Sequence, residues 1–204
     1  MLIYDDSFIA VMTATKDEAT AFGARHYGSE HVLLGLLASD DALTQQVVRS
    51  FPDLTPSAVR TAVRGALDDA PHLARLGLDA HVPTATSRTG GVRGGLPPRT
   101  KHTPELQSAL NEASAKWGHL RDTHAVPKER KLTSAVLWLA VLEPSARTSR
   151  LLRALEVDPD AVRTAVLAAL VPAGAAVPTW PAEPPVGPVT RLVQRVFGRT
   201  NVAS

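Results

Sequence analysis

The segment LTPSAVRTAVRGAL at residues 54–67 returns at residues 157–170 as VDPDAVRTAVLAAL, with AVRTAV identical in both. Upstream of it, HVLLGLL at 31–37 aligns with SAVLWLA at 134–140, and VVRSF at 47–51 aligns with LLRAL at 151–155 after a one-residue gap. Furthest upstream, DEATAFG at 17–23 aligns with NEASAKWG at 111–118. A single hexapeptide can recur by chance, whereas four collinear blocks describe a duplicated unit. Each block has the period of a helix. Phe8, Val11, Met12, Thr15, Ala19 and Phe22 share one face of a 3.6-residue repeat, as do Leu43, Val47, Val48 and Phe51, and again Val59, Ala62, Val63, Ala66 and Leu67. Val32 to Leu37 is apolar all round except at Gly35, the pattern of a central helix enclosed by its neighbours.

Helix starts agree with this period. Thr55-Pro56, Thr103-Pro104 and Asp158-Pro159 each place a capping oxygen before a proline suited to the first helical position. Ser29 is expected to cap the central helix of the first repeat, with Glu30 at its positive end. The reading predicts helices near 7–22, 30–38, 41–51, 56–69, 104–117, 133–142, 145–155 and 159–170, and no sheet. The fold class is therefore all-α, a pseudo-twofold bundle of two four-helix repeats. Repeat one occupies 1–70, a linker 71–101, a divergent repeat two 102–171, and a Pro-rich tail with a short amphipathic helix 172–204.

Composition narrows the function classes. The chain of 204 residues is 44% hydrophobic but only 4% aromatic, so its core is built from Ala, Val and Leu, which suits close helix packing. It has no Cys, so neither a disulfide framework nor thiol chemistry is available, and a reducing cytoplasm is the expected location. The start MLIYDDSF lacks a basic region ahead of an apolar stretch, and no run is long enough to span a bilayer, so neither secretion nor a membrane partner is expected. Charge is unevenly spread. Residues 1–70 hold five Lys/Arg against ten Asp/Glu, whereas 71–101 hold five against one. The basic stretch, TATSRTGGVRGGLPPRTK at 84–101 included, reads as a soluble linker rather than a nucleic-acid contact. Its GGVRGG lacks the strand and helix that a phosphate loop needs. No G-x-S-x-G is present and no nucleophile–base pair is visible, so the chain is read as a non-enzyme without cofactors.

EATAFGARHYGSEHVLLGLL at 18–37 resembles the repeat of the Clp ATPase N-terminal domains, where a helix ends near Gly and a G-[ST]-E-H turn leads into a Leu-rich helix. Gly28, Ser29, Glu30 and His31 match that turn, and the resemblance covers roughly residues 7–170. It implies a receptor module that takes up substrates, adaptors or peptide-like molecules for an ATP-driven unfoldase. Its partners would be a Clp-type ATPase or that enzyme's substrates and adaptors. In some relatives the glutamate of the turn helps recognise phosphorylated arginine, which makes Ser29, Glu30 and His31 the candidate ligand-binding residues. No G-x-x-x-x-G-K-[ST] is present, so the chain resembles the receptor domain without its ATPase. Repeat two departs from the pattern, with KLTSAVLWL at the turn and Thr133 read at the glutamate position.

Glu30 also serves as a helix-start anion and His31 as a buried hydrogen-bonding histidine. His26, Glu30 and His31 have the spacing H-x-x-x-E-H, but Gly28 and Ser29 interrupt any shared helical face, so no metal is expected. Trp117 and Trp138 are placed in the core, and Trp180, in the Pro-rich spacer, is expected to dock on something. PVTRLVQRVFGR at 188–199 is read as a docking helix through Leu192, Val193, Val196 and Phe197, onto its own domain, a partner, or an anionic membrane. The rival functions are a hydrolase with an unrecognised site and a membrane-apposed regulator using this helix.

Overall fold

A computed structural model describes residues 3–67, 101–126 and 131–183. Among them the chain runs β1 (Ile3–Tyr4), α1 (Asp6–Ala21), β2 (His26–Tyr27), α2 (Ser29–Ala38), α3 (Ala42–Ser50), α4 (Pro56–Leu67), β3 (Lys101–His102), α5 (Pro104–Asp122), β4 (Lys131–Leu132), α6 (Ser134–Val141), α7 (Arg147–Ala154) and α8 (Pro159–Ala169). The protein is mostly helical. Three of the expected caps form as local chemistry dictates. Thr55 Oγ1 accepts the Ala58 N–H at 3.2 Å, Thr103 Oγ1 that of Leu106 at 3.2 Å, and Asp158 Oδ1 that of Asp160 at 3.0 Å.

The core is centred on α2 and α6. Every side chain of α6 is buried, and on α2 the run from Ser29 to Leu36 is buried except Glu30. The remaining helices bury one face each. On α1 it is Val11, Thr15 and Ala19; on α5 it includes Leu106, Ala109, Ala113, Trp117 and Leu120. Trp138 is fully buried on α6, and its indole N–H donates to Thr44 Oγ1 on α3 at 3.0 Å, so the large aromatic is both packed and satisfied. α1 and α2 approach closely at Gly35, where a Cβ would come within 2.7 Å of both the Thr15 nitrogen and the Val11 carbonyl oxygen.

Three expectations are corrected. The sequence reading allowed no sheet, yet β1 pairs in parallel with β4 and β2 with β3. Each of these strands delivers the chain to a helix, and the N-cap residue that follows must be extended. Two such extended approaches lie side by side, and the pairing runs on into the caps. The Asp5 N–H donates to the Leu132 carbonyl at 3.1 Å and the Thr103 N–H to the Tyr27 carbonyl at 3.0 Å. Second, α5 does not stop at 117. Gly118 is accommodated within the helix, which ends only where Thr123 caps it and His124 takes up a positive φ of 60°. Third, Lys101, assigned to the linker, is a strand residue; the rest of that linker, 71–100, lies outside the described residues.

Candidate functional site

The turn that opens α2 differs from its sequence reading in one respect. Gly28, not Ser29, is the N-cap, and Ser29 is the first helical residue. The Gly28 N–H donates to Nδ1 of His31 at 3.2 Å, so the histidine three residues on reaches back to satisfy the cap. The buried hydroxyl of Ser29 instead donates to Glu105 Oε1 at 2.9 Å and accepts the Thr148 N–H at 3.3 Å. The same Glu105 oxygen accepts the Arg147 N–H at 2.8 Å. Ser29 is thus the junction of three helix N-termini, those of α2, α5 and α7. Because Ala146 at the α7 N-cap has no side-chain acceptor, Glu105 and Ser29 supply it from other helices.

Glu30 folds back over the turn. A Cβ at position 28 would stand 2.7 Å from Glu30 Oε1 and 2.8 Å from its carboxyl carbon, so with any other residue there the flexible carboxylate would have to swing aside. Oε1 lies 3.2 Å from His31 Nδ1, while Oε2 is buried without a hydrogen-bond partner among the described residues. Burial raises the Glu30 pKa. The hydrogen bond with His31, the bond to its own backbone, and the charges of His31 and Arg147 outweigh that, and the carboxyl ends below its ordinary value. His31 Nδ1 cannot serve both neighbours at once: in the Nε2–H tautomer it accepts the Gly28 N–H, and only with a proton on Nδ1 does it donate to Glu30. The ring also meets Phe22 edge-on at 5.7 Å. His26 is exposed on β2 whereas His31 is buried, and among the described residues no group of three or more His, Asp or Glu side chains could hold a metal ion.

Beside Glu30 opens a groove of about 640 Å³ between α4 and α7. Ala62, Val63 and Ala66 line it from α4, and Leu151 and Ala154 from α7, where Arg147 and Arg150 add charge. The Arg147 and Leu151 walls lie far from Glu30 in sequence, so no local spacing could have announced them.

The second half carries a different turn. Thr133 is the N-cap of α6, the place Gly28 holds on α2, and Ala135 stands two residues past the cap where α2 has Glu30. Thr133 therefore does not occupy the glutamate position; a two-residue slip in the alignment put it there. Ser134, first in α6, donates to Asp41 Oδ2 at 2.9 Å, and Asp41 is itself the cap of α3. A smaller cavity of about 270 Å³ here is lined by Asp5, Ser7, Asp41 and Trp117 among others, its described carboxylates being caps already engaged by N–H and hydroxyl groups.

Trp180 belongs to a cluster whose other members, Lys116, Glu112 and Glu143, the sequence did not single out. Lys116, on the apolar face of α5, is 1% exposed and pairs with the fully buried Glu143 at 2.8 Å and with Glu112 at 2.8 Å. The Trp180 indole N–H donates to the other Glu143 oxygen at 3.0 Å, and the Lys116 ammonium lies 5.8 Å from the Trp180 ring centre. Trp180 therefore docks on its own domain. Replacing it by Phe is expected to cost about 1.5 kcal/mol, because a buried carboxylate loses one charge-assisted donor. Equilibrium urea unfolding checks this; an unchanged midpoint would show the indole contact to be idle. Leu192, Val193, Val196 and Phe197, the expected docking residues, lie outside the described residues. No helix among the described residues is long and apolar enough to cross a membrane. A scan against protein-family models finds no match, and a search of curated proteins finds none either.

Proposed function

We propose that this chain is a non-catalytic receptor for protein segments, built as a duplicated four-helix unit like the N-terminal domain of the Clp unfoldases, and acting as adaptor, decoy or sequestering protein. The observation that carries the reading is the groove beside Glu30. It is large enough for a few side chains, floored by small apolar residues, and flanked by charged groups able to fix a ligand's orientation. The duplicated architecture is supported by the strand pairings, in which the approach to α1 lies beside that to α6 and the approach to α2 beside that to α5. An exchange of the two halves maps each pair onto the other. The recurrence of AVRTAV in α4 and α8 agrees with it.

Under this reading Glu30 accepts a cationic group of the ligand, and the second half, with Ala135 at the corresponding place, cannot. A guanidinium-bearing ligand then binds in one half only. Phosphoarginine titrated calorimetrically is expected to bind at one site, with Glu30→Gln weakening it about tenfold, the loss of one carboxylate–guanidinium contact. Identical binding by the variant removes this role from Glu30.

A further inference from the structure

We infer that the groove between α4 and α7 takes an acidic segment of another polypeptide, one that carries an apolar side chain beside Asp or Glu. This deepens the receptor reading and rests on it. Arg147 and Arg150 stand three residues apart on α7, close to one turn, and both line the same wall. Among the described residues neither guanidinium is paired with a carboxylate. The Arg147 backbone N–H is held by Glu105, which fixes the start of α7 and leaves the side chain for the groove. Against these two guanidiniums the described lining residues hold one acid, Glu30. The wall therefore carries surplus positive charge above an apolar floor of Val63, Ala66 and Leu151.

Such a surface selects its occupant by sign. Two guanidiniums one turn apart can each meet a carboxylate oxygen pair, while the floor accepts the neighbouring apolar side chain. Taken whole, the longer segments outside the described residues have the wrong charge for this, although 68–100 opens on the adjacent Asp68 and Asp69. Residues 184–204 contain Arg191, Arg195 and Arg199 and no acid, and residues 68–100 contain four arginines against three aspartates. The occupant is thus an acidic stretch supplied by a partner.

Fluorescently labelled peptides with blocked ends and a common Ala-Leu-Val-Ala-Leu core test this by anisotropy, with flanks of Glu-Asp, Gln-Asn or Lys-Lys. The intact chain is expected to bind the acidic peptide about tenfold tighter than the neutral one and the basic peptide weakest, the size of effect that one or two charge-assisted contacts give. Arg147→Gln/Arg150→Gln should erase the acidic preference, bringing the acidic and neutral peptides to equal affinity. Both side chains are exposed, and a circular dichroism melt confirms that the double variant is folded. Equal binding of acidic and neutral peptides, or a preference that survives in the folded double variant, overturns the inference. Ala66→Trp separates it from the receptor reading. If the neutral peptide binds and Ala66→Trp abolishes that binding, the groove stands as the site and only the acidic preference can have failed. If none of the three peptides binds, both fall.

Discussion

Replacing Lys116 by Met is expected to destabilise the protein by about 3–5 kcal/mol at neutral pH, because it leaves Glu143 as an uncompensated charge in the interior. Glu143 is fully buried, and burial already raises its pKa against the lowering influence of Lys116 and Trp180, with Glu112 adding to the rise. Relative to the unfolded chain, the folded state therefore shifts the balance toward the neutral acid. Any stability from that preference is present below the ordinary glutamate pKa and is lost as pH rises through the elevated folded value. Removing Lys116 takes away the chief opposing influence, so the folded pKa climbs further and the deficit of the variant grows from acidic to neutral pH. Urea unfolding of both proteins at about pH 5 and pH 8 reads this directly, since other titrating groups cancel in the difference. Glu143→Gln should cost less, because Lys116 retains Glu112 at 2.8 Å. Lys116→Met/Glu143→Met should recover most of the loss, as apolar replacement of a whole buried pair is commonly neutral. A deficit that does not change with pH, or a double variant as unstable as Lys116→Met, would mean that side-chain packing rather than charge accounts for the effect.

That cluster also marks where the sequence stops being readable. Capping is local chemistry, and Thr55, Thr103 and Asp158 could be placed because acceptor, proline and first turn lie within four residues of one another. Burial of Val32 to Leu36 and of Trp138 follows from periodicity in the same way. Lys116 lies on α5 and Glu143, 27 residues further on, in the loop that follows α6, and nothing local links them. A signal was nonetheless present. Lys116 falls on the stripe of Ala109, Ala113, Trp117 and Leu120, and a lysine on a core face requires an acid from elsewhere. A serine before an apolar run so often caps that Ser29 takes that role on sequence alone. Here its hydroxyl is drawn to Glu105 on another helix, and a histidine takes over the turn. The groove was legible only at Glu30, since its two long walls belong to α4 and α7 and meet only in the fold.

The tightest constraint on the fold falls at Gly35, and Gly35→Val is expected to destabilise by about 3 kcal/mol or more, the upper end for overpacking. A Cβ there would meet the Thr15 nitrogen and the Val11 carbonyl oxygen at 2.7 Å each, and the Thr15 hydroxyl closer still. Two of these are backbone atoms of α1, which cannot rotate away, so relief requires α1 and α2 to move apart. Both helices are anchored against such movement. α1 is fixed at its start by the Asp5 cap and by the pairing of β1 with β4; α2 is fixed by Ser29 to α5 and α7. Separation would also open a gap around Val11, Thr15 and the buried leucines of α2, with the loss of dispersion contacts that this brings. Gly35→Ala raises the same conflict with fewer atoms and should cost less, on the order of 1–2 kcal/mol after the roughly 1 kcal/mol that alanine gains over glycine within a helix. Thr15→Ala distinguishes the sources. It removes the hydroxyl but neither backbone atom, so Thr15→Ala/Gly35→Ala should remain less stable than Thr15→Ala alone. If the two have equal stability by urea unfolding, the close approach is set by one side chain, and the helices are free to adjust.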